Sequence, residues 1–137
     1  MGLGGMGLGG VMSGVATAAA MAPAAAVNYD GRLFRPLEGD PGGEVPSGLY
    51  HQDGDLVWVE IRGGAVRAGR LVGHAEPDGT LDAAYCMALA GGGLVAGRCT
   101  SLPTVLADGR LRLEERWRRI DGTSGVSWIK EVRNDEH

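Results

Sequence analysis

From Tyr29 onward, apolar and polar residues alternate with a period of two, and glycine-bearing turns interrupt the alternation at short intervals. Side chains of an extended strand point alternately to its two faces, so this pattern marks half-buried strands. In Leu56 to Arg62, Val57, Val59 and Ile61 share one face, and Trp58 and Glu60 share the other. In Arg110 to Arg119, Leu111, Leu113, Glu115 and Trp117 oppose Arg110, Arg112, Glu114, Arg116 and Arg118. In Val126 to Arg133, Val126, Trp128 and Val132 oppose Ser127, Glu131 and Arg133, a pattern that Ile129 and Lys130 weaken. Runs at 32–36, 45–52, 66–75, 81–89 and 94–101 bring the expected total to about eight strands.

The turns are Asp30-Gly31, Gly42-Gly43, Asp53-Gly54-Asp55, Gly63-Gly64, Pro77-Asp78-Gly79, Gly91-Gly92-Gly93, Asp108-Gly109 and Asp121-Gly122. Such close spacing is that of an antiparallel meander of hairpins. The strongest competing helix runs from Thr80 to Ala90, with a stripe of Leu81, Ala84, Tyr85, Ala88 and Leu89. It reads as a strand, because its flanking turns match those of its neighbours. Eight short antiparallel strands bury their edges most simply by closing into an up-and-down barrel of the calycin type. The interior of such a barrel holds packed side chains or one small ligand. A sandwich would need long cross-over loops, which are missing. The fold class is therefore all-β.

Charge divides the chain. Residues 1–29 carry no charged side chain, and all 13 basic and 17 acidic residues follow. Two regions result: a Gly/Ala-rich leader over 1–26 and a single barrel domain over 27–137. The leader admits three readings: a disordered tail, a degenerate export signal without a basic n-region, or upstream sequence preceding a natural first residue at Val27. The export reading is the weaker, so the expected location is cytoplasmic. Gly2-Leu3-Gly4-Gly5-Met6-Gly7 fits G-x-G-x-x-G, but no strand precedes it to deliver a pyrophosphate to a helix. A net charge of −4 gives no electrostatic case for nucleic acid or an acidic membrane.

Catalytic and metal signals are thin. His51, His74 and His137 lack ligand spacing with one another or with Cys86 and Cys99. The two cysteines read as buried thiols, with a single bridge between neighbouring strands left open. No G-x-S-x-G occurs, and no base is identifiable for Ser101 or Ser127. The better pointers are polar residues on apolar faces. Glu115 shares the face of Leu113 and Trp117. Arg98 follows Leu94 and Ala96 with one parity, and Arg70 follows Val66 and Ala68. Inside a barrel these groups need partners, and a Glu115–Arg98 pair is expected. It would serve either to fix register or to anchor a ligand. Trp58, Trp117 and Tyr85 complete the candidate binding set as an aromatic wall.

The stretch Asn28-Tyr29-Asp30-Gly31-Arg32 through Phe34-Arg35-Pro36 resembles the opening of a small bacterial family whose members carry the label N-acetylglutamate synthase. Gly43-Glu44-Val45, Tyr50-His51-Gln52, Leu71-Val72-Gly73, Gly97 to Ser101 and Asp108 to Leu113 continue the likeness, as do Glu115 with Trp117 and Gly122 with Ser124. It covers about residues 28–133. A polar segment usual in that family is replaced here by Ala84-Tyr85-Cys86-Met87. The label implies acetyl-CoA as co-substrate, and Arg70-Leu71-Val72-Gly73-His74-Ala75 fits its R/Q-x-x-G-x-G/A cradle in form. The turn that follows is a hairpin rather than a helix start, which disfavours that use. The expected function is therefore non-catalytic binding of a small molecule, without cofactor. An N-acetyltransferase and a self-association module using an uncovered strand edge are the alternatives.

Overall fold

The computed structural model describes residues 27–37 and 45–133. The leader, the Gly42-Gly43 turn and His137 lie outside the described residues. Eight strands follow one another: β1 (Leu33–Pro36), β2 (Ser47–Asp53), β3 (Leu56–Gly63), β4 (Val66–Ala75), β5 (Leu81–Leu89), β6 (Leu94–Val105), β7 (Leu111–Arg119) and β8 (Ser124–Val132). Each pairs antiparallel with its neighbour in sequence, and β8 returns to β1 to close the barrel. No helix occurs among the described residues, and the segment from Leu81 to Leu89 is a strand.

Four hairpins use one loop design. The loops Glu76–Thr80, Leu89–Gly93, Leu106–Arg110 and Arg119–Thr123 are each closed at both ends by backbone hydrogen bonds. The fourth residue of each is a glycine at positive φ: Gly79 (91°), Gly92 (103°), Gly109 (89°) and Gly122 (93°). A side chain there would strain the backbone. In three of the loops an aspartate precedes that glycine. Asp78, Asp108 and Asp121 each accept a hydrogen bond from the backbone N–H two residues on. The Asp-Gly pairs in the sequence are thus turns with a mechanism.

The core lies at one end of the barrel. Tyr29, Phe34, Val57, Leu81, Leu111 and Leu113 are almost wholly buried there. Tyr29 enters from the segment before β1, and its hydroxyl donates to the Gly79 carbonyl of the β4–β5 loop. Glu131 on β8 binds Arg32 at 2.6 Å and also accepts from the Leu111 amide, tying β1, β7 and β8 together.

Two expectations need correction here. Every strand has neighbours on both sides, so the uncovered edge required for self-association by strand addition is not formed. Cys86 is exposed on the outer face of β5, whereas Cys99 is buried on the inner face of β6. Both thiols are free, and their opposite facings remove the option of a bridge.

Candidate functional site

Toward the other end, the inward positions change character. Gly48 on β2, Cys99 on β6, Glu115 on β7 and Ser127 on β8 take the places that bulky aliphatics fill at the core end. The result is a cavity of about 320 Å³. Phe34, Tyr50, Val59 and Leu71 line it on the core side, and Ile61, Tyr85, Met87, Trp117 and Ile129 wall it. Arg35, Pro36, Pro46, Ser47 and Arg119 also contribute. β1 ends at Pro36, opposite Ile129. Just past it, the Leu37 backbone N–H still donates to the Trp128 carbonyl of β8.

Trp117 is held in place by three contacts. Its indole Nε1 donates to Ser127 Oγ at 2.9 Å. The Arg119 guanidinium lies over the ring, 4.9 Å from its centroid. The third contact is with Gly125, where a β-carbon would stand 2.5 Å from the ring, so only glycine lets the indole lie this close to β8.

Glu115 is the acidic group of the cavity. In register it sits between Ser101 on β6 and Ser127 on β8. Burial raises its pKa from 4.5 to about 7. Burial also pushes the Cys99 thiol up to about 12; Glu115 adds to that shift and the Ser101 contact opposes it. The Tyr50 phenol is raised well above its ordinary value by burial first, then by Glu115. Both groups are therefore neutral at physiological pH.

The structure brings together three of the six residues expected to bind a ligand: Glu115, Trp117 and Tyr85 line one cavity. The other three project outward. Arg98 binds Asp82 on the outer surface at 3.0 Å, so the expected Glu115–Arg98 pair is not formed. The inner face of β6 is Cys99 and Ser101, and Leu94, whose parity suggested otherwise, is 85% exposed. Arg70 is turned outward by an irregularity between Val66 and Ala68 that shifts the register of β4. Its guanidinium donates to the Gly69 carbonyl. Trp58 lies on the outer face and stacks on His51, ring centroids 5.4 Å apart.

The expected binding set did not include Tyr50, Met87, Cys99, Arg119 and Ser127, which also line the cavity. Tyr50 carried a signal, since it pairs in register with Val59, a recognised inward residue. Ser127 carried none, because its strand was read with the opposite face inward.

The segment Arg70 to Ala75 lies within β4 and is followed by the Glu76–Thr80 hairpin loop. No helix N-terminus is present there to hold a pyrophosphate, so the acetyl-CoA cradle is not built. No group of three or more His, Cys, Asp or Glu able to hold a metal occurs among the described residues. No helix among them is long and apolar enough to cross a membrane.

A family model described as Avidin-like protein matches residues 27–132. This match does not support the resemblance to a family labelled N-acetylglutamate synthase. Comparison with curated proteins and with solved structures gave no match.

Proposed function

From the premise that the chain belongs to the avidin-like protein family, we propose that it binds a small, largely apolar molecule in the open half of its barrel. The observation that carries this reading is the cavity itself. Its volume of about 320 Å³ lies within the range of small-molecule sites, and aromatic and aliphatic walls surround a few convergent polar groups. Cys99 and Ser127 stand at inward positions where larger side chains would fill the space. Family membership makes a biotin-like molecule the first candidate within this class.

The test is calorimetric titration with biotin and with neutral aromatic probes such as indole and 2-phenylethanol. At least one is expected to bind the wild-type protein. Ile61→Trp, which fills the cavity from β3, is expected to abolish that binding while leaving the far-ultraviolet dichroism of the barrel intact. Failure of every probe to bind, or binding unchanged in Ile61→Trp, would overturn the reading.

A second reading has its own observation. The outer face of β4, β5 and β6 carries a groove lined by Ala68, Ala88, Ala96, Leu94 and Ile120, and Leu94 and Ile120 are highly exposed. Such a face supports self-association of barrels side by side. Sedimentation is expected to show an oligomer that Leu94→Asp dissociates, and a monomeric wild type would exclude it.

A further inference from the structure

Arg35 on β1 and Arg119 on β7 both line the cavity, and the Nε–H group of each is buried without a hydrogen-bond partner among the described residues. Buried N–H groups are ordinarily paired, so each exception calls for a physical reason. Glu115 is not such an exception. Ser101 and Ser127 stand beside it in register, and their hydroxyls can turn to donate to it.

The surroundings of the two arginines do not supply the missing acceptor. Arg119 lies two residues beyond Trp117 on the same face of β7, with its guanidinium over the indole ring. Stacking covers the face of a guanidinium and leaves its N–H groups directed outward in the plane. Asp121, in the loop that follows, accepts from both the backbone N–H and the hydroxyl of Thr123, and it acts on Arg119 through charge alone. Alternation turns Arg35 away from the face of the buried Phe34, yet at the end of β1 it reaches the cavity beside Pro36. In register Arg35 stands opposite Lys130, which stands opposite Arg112. Arg112 in turn lies over Trp128, another residue that touches the cavity. Like charges directly opposite one another are destabilising, so this row gains from a nearby anion. The charged residues of the lining are Arg35, Arg119 and Glu115, and burial holds the proton of Glu115 up to about pH 7. The balance inside the cavity is therefore positive.

We infer that the cavity selects ligands carrying a carboxylate, which the Nε–H groups of Arg35 and Arg119 receive, over neutral molecules of the same shape. The inference rests on the cavity being a binding site and extends that reading to the polar end of the ligand. A guanidinium presents Nε–H and one Nη–H side by side, which matches the two oxygens of a carboxylate. The apolar body of the molecule would lie against Tyr85, Met87 and Trp117. A carboxylate received by Arg119 also stands clear of Glu115, which is four residues away along β7, about 13 Å at the rise of an extended strand.

The test compares two pairs of probes alike in shape and different in charge: 3-phenylpropionate with 3-phenylpropanamide, and biotin with its primary amide. Each is titrated calorimetrically at about pH 6, where the acids are ionised and Glu115 is mostly protonated. The acid of at least one pair is expected to bind the wild-type protein about tenfold tighter than its amide. The double variant Arg35→Gln with Arg119→Gln is expected to bring acid and amide to similar affinity, and each single variant to reduce the preference. Equal binding of acid and amide by the wild type, or tighter binding of the amide, would overturn the inference and leave the cavity reading standing. A preference that persists in the double variant would place the anion elsewhere and overturn it too. Should the double variant fail to fold, the single variants decide: a preference undiminished in either one overturns the shared assignment. If neither these probes nor the neutral set binds, the cavity reading falls and the inference falls with it.

Discussion

The two ends of the barrel are built from the same eight strands and differ in what the inward positions hold. β7 shows the change within one strand. Leu111 and Leu113 are buried in the core, and the next two inward residues, Glu115 and Trp117, face the cavity. At the core end, Tyr29 closes the barrel from outside the strand series and every inward side chain meets another. At the cavity end, Cys99, Glu115 and Ser127 stand in place of the aliphatics, and space is left. The contrast teaches that a closed barrel can be anchored by half of its interior, leaving the other half available for a ligand.

The sharpest way to break that comparison is to remove equivalent bulk from each end. Leu113→Ala is expected to cost about 4 kcal/mol in urea unfolding, because it opens a void in packed surroundings. Met87→Ala, beside existing space, is expected to cost about 1 kcal/mol. Equal losses would mean that the two ends are packed alike.

The next largest effect is electrostatic. Glu115 has a folded-state pKa above its unfolded one, so the folded chain holds the proton more tightly. Stability therefore falls as pH rises from about 4.5 to about 7, and the full penalty persists above that range. Glu115→Gln removes the penalty. Relative to wild type it is expected to gain up to about 3 kcal/mol above pH 7, and little near pH 5. A gain independent of pH would show that the carboxyl is well solvated and that the cavity end is wetter than its lining implies.

Gly125→Ala is expected to cost about 2 kcal/mol and to shift tryptophan emission, since the new methyl displaces the indole of Trp117. An unchanged spectrum would mean that the indole is not fixed. The smallest effect belongs to the core end. Tyr29→Phe removes one hydrogen bond to the Gly79 carbonyl and is expected to lower stability by about 1 kcal/mol without affecting probe binding.

The same contrast explains what could be read from the residues. Alternation identifies the inward face wherever the interior is apolar and full. It placed Val57, Val59, Leu111 and Leu113 correctly, and with them the barrel and the inward set of Glu115 and Trp117. It failed where the interior is hollow. On β8 Gly125 and Ser127 turn to the interior while Val126 faces out and Trp128, though it touches the cavity, is exposed, so the hydrophobic pattern points the wrong way. On β6 the exposed Leu94 misdirected Arg98 in the same manner. Arg70 failed for a different reason: the irregularity near Val66 inverts the faces of β4, and no residue type announces where a register will slip. Trp58 was on the outward face of its own alternation, and its aromatic character alone had recommended it.

The topology has one further consequence. Of the eight strand pairings, seven join consecutive strands, and only that between β1 and β8 spans the chain. The consecutive hairpins can zip up locally, whereas the long-range pairing must bear the loop-closure entropy of the whole meander. That seam is also short, running from Leu33 opposite Val132 to Pro36 opposite Ile129. Native-state amide exchange should therefore begin along β1, before the central hairpins of β4, β5 and β6. Pro36 and Ile129 also line the cavity, so a bound molecule would lie against the seam and slow its opening.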